Sequence, residues 1–281
     1  MKISNHRLFK DDDTPYPFQE SPNTGGQMKP EYLIMHYTAG GSAKESVQWL
    51  TNPRAKASAH LVIGRDGSLT QLVPFATKAW HAGVSTWEGR TGFNSFSVGI
   101  ELDNAGPLTR HDNKWRAWFG TEYRNSEAIE ATHKNETKPR GWRLYPPVQI
   151  EAAMEVGSLL VSHYNLREVL GHEDIAPGRK SDPGPAFPLL SFRARLLGRQ
   201  EEEEVQYQTT SELNIRTGPG TQHPPIPGSP LPPATRVEIL QREGSWALVD
   251  VLSVVGGVMD MQGWVHSRYL QRAGRAPGIT A

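Results

Sequence analysis

Short apolar runs alternate with helical spacing through the first two thirds of the chain. Tyr32-Leu33-Ile34-Met35 predicts a compact strand, and Ala59 to Ile63 predicts another. Arg65-Asp66-Gly67-Ser68 reads as a hairpin turn, after which Leu69 to Val73 pairs back. Ser97 to Leu102 is a further strand, and strict alternation divides its faces. Val98, Ile100 and Leu102 share the apolar face; Ser97, Gly99 and Glu101 share the other. Ala43 to Leu50 and Val148 to Tyr164 carry helical periodicity. Strands mixed with helices predict an α/β or α+β domain. Residues 104–147 break the pattern, being polar, tryptophan-containing and weakly periodic. They read as an insertion, either a packing excursion or part of a wall or lid in which Trp115, Trp118, Tyr123 and Trp142 offer apolar faces.

The pattern changes again near Glu201-Glu202-Glu203-Glu204, an acidic run that follows the basic segment Arg193 to Arg199. Beyond it the spacing is that of strands and turns, with Val237 to Leu240 and Trp246 to Val251 joined by Gln241 to Ser245. The organisation predicted is a first domain over 1–198, a linker over 199–206, a small all-β domain over 207–272 and a loose tail over 273–281.

Composition narrows the function. The 281 residues hold 30 Lys+Arg against 30 Asp+Glu, so no basic excess favours a nucleic-acid partner. No apolar run is long enough to predict a membrane span. Met1 to Asp13 lacks the apolar core of a standard signal peptide, which predicts a protein made, and either retained, in the cytoplasm or delivered by another route. Cysteine is absent, so disulfides and thiolate chemistry are excluded and any metal must be held by His, Asp or Glu. The 27 glycines and 22 prolines predict long ordered loops.

Four segments carry candidate chemistry. His36 follows an apolar strand directly and fits either a cleft or a satisfied core position. Glu101 stands on a strand face otherwise made of small residues, as on a cleft floor or on a solvated edge. The segment 171–184 sets His172, Lys180 and Asp182 on a loop braced by Pro177, Gly178, Pro183 and Gly184. His60, Trp80 and His81 are either structural or line a substrate cleft. Two histidines and an aspartate can hold zinc and leave a fourth position open. A carboxylate such as Glu101 could then move the water's proton, and Lys180 could offset a developing oxyanion. The residues therefore suggest zinc-assisted amide hydrolysis without naming a substrate.

The stretches Leu33-Ile34-Met35-His36-Tyr37-Thr38, Ser58-Ala59-His60, Trp80-His81-Ala82-Gly83, Ser97 to Leu102 and the 171–184 loop together resemble the type 2 N-acetylmuramoyl-L-alanine amidases, a superfamily that includes the peptidoglycan recognition proteins. The resemblance implies a central mixed β-sheet flanked by helices, Zn2+ on His36, His172 and Asp182, Glu101 as general base and Lys180 as transition-state stabiliser. It implies cleavage of the amide between the muramic acid lactyl group and L-alanine. Ala59 before His60, and Asp182 rather than cysteine at the third ligand position, match the glutamate-dependent branch with the recycling amidases. Leu213 to Gly220, Gly244 to Val249, Gly263-Trp264-Val265 and Tyr269-Leu270 resemble the bacterial SH3-like family, with Trp246 and Trp264 read as core.

Three functions follow as expectations. The first is a zinc amidase on polymeric peptidoglycan, with the SH3-like domain aiding wall binding. Secretion machinery or an inhibitor protein would be its further partners, and monomer is the default state. The second is a cytoplasmic enzyme recycling soluble anhydro-muropeptides. The third is a non-catalytic muropeptide receptor, disfavoured because the full ligand set is present.

Overall fold

The computed structural model describes residues 1–198, 207–258 and 261–273. Its centre is a five-stranded sheet built from β1 (Tyr32–Tyr37), β2 (Leu61–Ile63), β3 (Leu69–Gln71), β4 (Ser97–Leu102) and a strand at Glu168–Gly171. The order is Glu168–Gly171, β1, β4, β2, β3. The first three neighbouring pairs are parallel, and β2 with β3 is an antiparallel hairpin. Parallel strands are covered on both faces, which is why β1 reads as a near-continuous apolar run. Leu33, Ile34 and Met35 are all fully buried.

Helix α1 (Ala43–Leu50) starts where the Ser42 hydroxyl accepts the Glu45 N–H. Helix α2 (Pro147–Tyr164) starts at a proline, whose missing N–H has no helical partner at that position anyway. Its buried Ile150, Ala153, Val156 and Leu160 face the sheet's core together with Phe187 and Phe192. A short helix, α3 (His172–Ile175), follows the Glu168–Gly171 strand directly, and α4 (Leu189–Leu197) packs back on that strand and on α2. The α4 span covers most of the basic segment read as a helix end.

The insertion is a second, wholly antiparallel sheet. Its strands in chain order are β5 (Pro107–His111), β6 (Lys114–Arg116), β7 (Glu122–Tyr123), β8 (Ala128–Thr132) and β9 (Pro139–Arg143), arranged β7-β6-β5-β9-β8. With these in place, the strand at Glu168–Gly171 is β10. The wall reading of the insertion aromatics needs correction. Trp115 and Tyr123 are buried in the insertion's own packing, and Trp142 is buried in the main core, its indole N–H donating to the Ala131 carbonyl at 3.0 Å. Only Trp118 presents its ring outward, at 77% exposure.

The C-terminal region is another five-stranded antiparallel sheet: β11 (Tyr207–Thr209), β12 (Arg236–Glu243), β13 (Trp246–Val251), β14 (Met261–His266) and β15 (Leu270–Arg272), in the order β14-β13-β12-β11-β15. Its own core holds Ile215, Leu231, Val237, Val249 and Val265. The linker 199–206 and the tail beyond 273 lie outside the described residues. Trp264 is core, but in a shared sense: with Leu248 it joins the hydrophobic cluster around the central sheet. Its indole N–H donates to the Glu130 carbonyl of β8 at 2.8 Å, and the Glu130 N–H donates to Thr217 at 2.8 Å. No helix among the described residues is long and apolar enough to cross a membrane.

Trp264→Phe keeps most of the apolar ring but strands the Glu130 carbonyl. We expect a loss of roughly 1–3 kcal/mol in chemical denaturation, with both regions unfolding in one transition. An unchanged midpoint would show that this contact does not hold the two regions together.

Candidate metal centre and active site

The sheet assembles the site by register. β4 pairs with β1 so that Glu101 lies opposite His36, and β10 pairs with β1 so that Gly171 lies opposite Met35. His172, one residue beyond β10, therefore arrives beside His36 at the carboxyl edge of three parallel strands. Clefts form at such edges in α/β sheets. The 172–184 loop then returns Asp182 to the same point. The His36 Nδ1, His172 Nδ1 and Asp182 Oδ2 atoms lie 2.9 Å from one another in all three pairs. All three residues are buried and form a cluster able to hold a metal ion.

Hydrogen bonds fix which nitrogen of each ring is bare. Ser97 Oγ donates to the Phe93 carbonyl, so Ser97 can only accept from His81. His81 Nε2 therefore carries a proton, shared between the Ser97 carbonyl at 3.2 Å and the Ser97 Oγ at 3.3 Å. His81 Nδ1 is left as an acceptor, and His36 Nε2 must be the N–H that donates to it at 2.9 Å. His36 Nδ1 is then unprotonated. His172 Nε2 donates to the Ala82 carbonyl at 3.0 Å, which in the neutral ring leaves His172 Nδ1 as the unprotonated nitrogen. Three lone-pair atoms converge with no proton assigned between them, and a cation is what such a set accommodates. Burial, reinforced by the neighbouring His172, holds the His36 imidazole down at about 4, in keeping with a neutral ring. Two imidazoles and one carboxylate are a donor set that fits zinc, among other divalent ions.

Gly99 is indispensable here. His81 packs flat against β4, and a Cβ on Gly99 would lie 2.4 Å from the His81 ring. The small, polar face of β4 is thus a socket for the residue that orients His36.

Glu101 is partly buried, but its Oε2 is enclosed and has no hydrogen-bond partner. Burial pushes its carboxyl well above the usual range; Asp182 adds to the shift, and Lys180 works against it. Lys180 itself is exposed, near enough for its charge to act on both Glu101 and His36. Glu101 borders a cavity of about 850 Å³, a size suited to a small ligand. The loop Thr38 to Gly41, α1 with Glu45 and Trp49, and the insertion with Trp118 and Phe119 form its walls. Trp118 is held in place by its indole N–H, which donates to the Ala39 carbonyl at 2.8 Å.

The three expected substrate contacts stand in different places. Trp80 is part-exposed, at 37%. His81 is buried and serves His36. His60 is wholly buried: its Nδ1 accepts the Gly99 N–H and its Nε2 donates to the Thr77 carbonyl, so neither nitrogen is left for a ligand. Trp49, Phe119 and Ser97 were not identified from sequence. Ser97 was legible only as a small residue on the polar face of β4.

In metal-free protein, the raised Glu101 carboxyl favours folding while protonated and opposes it once ionised. Stability should therefore fall as pH rises from the ordinary carboxylate range through the elevated folded value. Glu101→Gln, which cannot ionise, should melt higher than the parent at pH 8 and level with it near pH 4. Equal pH profiles in calorimetry would refute the buried-carboxylate reading.

Comparison with known proteins agrees with this geometry. Residues 26–185, more than half of the chain, match the family described as N-acetylmuramoyl-L-alanine amidase. The Escherichia coli amidase AmiD is 28% identical over 75% of this chain and 65% of its own length. The Escherichia coli 1,6-anhydro-N-acetylmuramyl-L-alanine amidase AmpD is 36% identical over 49% of this chain and 57% of its own. This chain thus spans less than two thirds of the length of either relative. Among solved structures, AmiD in complex with anhydro-N-acetylmuramic acid-L-Ala-D-gamma-Glu-L-Lys covers 58% of this chain and 56% of its own, at 30% identity and a TM-score of 0.44. With the family pattern spread across the same strands and loop that build the site, the chain belongs to the N-acetylmuramoyl-L-alanine amidase family.

Proposed function

We propose that this chain is a zinc-dependent amidase that hydrolyses the amide between the muramic acid lactyl group and L-alanine in peptidoglycan. The observation that carries the reading is the convergence of three unprotonated donors on His36, His172 and Asp182, with Glu101 opposite His36 across the strand pair and itself bordering the cavity. Zinc bound there supplies Lewis acidity toward the scissile carbonyl and makes a nearby water more acidic.

The chain's own residues do the rest. Glu101, ionised in the working enzyme, takes a proton from the attacking water. Its lack of a competing hydrogen bond leaves Oε2 free for that proton. As the C–N bond breaks, the same carboxyl returns the proton to the departing L-alanine nitrogen. The products are a lactyl carboxylate and a free amine. Lys180 brings positive charge to the oxyanion side. Ser97 and His81 keep His36 in the right tautomer throughout. The walls of the cavity, with Trp49 and Trp118 exposed at its rim, receive the rest of the substrate.

The all-β C-terminal region is read as an SH3-like domain that aids contact with the wall. A second reading is recycling of soluble anhydro-muropeptides, favoured by the likeness to AmpD, whose name specifies an anhydro-muramyl substrate.

Purified sacculi and soluble anhydro-muropeptides should be digested in parallel, with and without a zinc chelator, and followed by mass spectrometry. We expect chelator-sensitive release of free stem peptides from sacculi. Cleavage confined to soluble fragments would instead select recycling, and undiminished cleavage after verified metal removal would overturn the zinc mechanism. Glu101→Ala should lose turnover by about 100-fold or more while retaining zinc. A near-normal rate would mean that another group is the base.

A further inference from the structure

Three consecutive insertion residues reach the back of the ligand loop. The geometry points to His133, Lys134 and Asn135 as a clamp that, through Glu173, positions the metal ligands His172 and Asp182; this rests on the metal centre proposed above. Glu173 is buried at 6% exposure, one residue after His172. Its Oε2 accepts from His133 Nε2 at 2.6 Å and from the Gly184 N–H at 3.1 Å. Its Oε1 meets Lys134 Nζ at 2.9 Å. The Glu173 N–H donates to the Asp182 carbonyl at 2.9 Å, and the Glu173 carbonyl accepts from Asn135 Nδ2 at 3.2 Å. One carboxylate therefore ties down both ends of the ligand loop.

The clamp is electrostatically complete. His133 Nδ1 accepts the Asn135 N–H at 3.1 Å, so its Nε2 carries the proton and donates as a neutral ring. Lys134 provides the compensating charge and also binds Asp174 at 2.5 Å. Asp174 in turn accepts the Gly171 N–H at 2.7 Å, at the strand end from which His172 emerges. Trp142, also from the insertion, lies against Gly184, where φ is +73° and a Cβ would come within 2.8 Å of the indole. Tyr145 adds a hydrogen bond from its hydroxyl to the Pro183 carbonyl at 2.8 Å. A buried carboxylate stripped of a donor must move or recruit water. Movement of Glu173 would carry the backbone on both sides of the donor triangle with it.

The test uses the full chain and zinc itself. Zinc affinity is measured by competition with a chromophoric chelator, alongside thermal unfolding of the metal-free proteins. His133→Phe keeps a ring against Trp142 but removes the N–H. It should weaken zinc binding on the order of tenfold, the scale of outer-shell losses at metal sites. His133→Gln, which can place an amide N–H where Nε2 stood, should recover most of that loss. Should His133→Phe fail to fold, Lys134→Met, altering a half-exposed side chain, should still weaken zinc binding several-fold. Zinc affinity within about twofold of the parent in every folded variant, with only the melting temperature lowered, would overturn the clamp and leave a purely structural tie. A parent chain that binds no zinc would overturn the metal centre itself, a result distinct from unaltered affinity in the variants.

Discussion

Three electron-rich atoms held 2.9 Å apart in a buried site are mutually repulsive unless a positive charge lies among them. Much of the surrounding structure exists to keep them there. The sheet register sets His36 beside the end of β10, and the backbone dictates the tautomers through Ser97 and Ala82. Gly99 leaves room for the ring that transmits the Ser97 constraint to His36. Each support is ordinary alone. Their sum is a site whose polarity is decided by main-chain carbonyls that side-chain substitution leaves in place.

The same logic joins parts that look separate along the chain. β8 pairs with β9 inside the insertion, meets Trp264 and Thr217 of the C-terminal region, and leads directly into His133. The insertion is therefore both a wall of the cavity, through Trp118 and Phe119, and a connection between the second β region and the ligand loop. Its aromatic residues divide accordingly. Trp115 and Tyr123 pair across β6 and β7, Trp142 backs Gly184, and Trp118 alone faces outward.

The parts of the fold legible in the sequence are those where one short-range pattern dominates. β1 shows as an apolar run because both faces are covered, and β4 by alternation because its two faces meet different surroundings. The 171–184 loop stands out because its turn residues crowd around the ligands. The strands of the insertion stayed hidden because β6 and β7 are only three and two residues long, too short for a period to emerge. Their pairing is settled by partners distant in sequence. His60 and His81 show a different limit. Their types and positions were evident, but whether a histidine faces a ligand or a backbone carbonyl depends on neighbours such as Thr77 and Ser97 that no local pattern reveals.

The docking of the second β region changes what an appended module can contribute. A module on a free tether works by raising concentration and is indifferent to direction. Here Trp264 and Leu248 complete the hydrophobic cluster around the central sheet, so the region has one heading relative to the cavity. Whatever that surface holds is therefore carried at a set angle and offset from the groove, and a substitution at the seam would alter direction as well as stability.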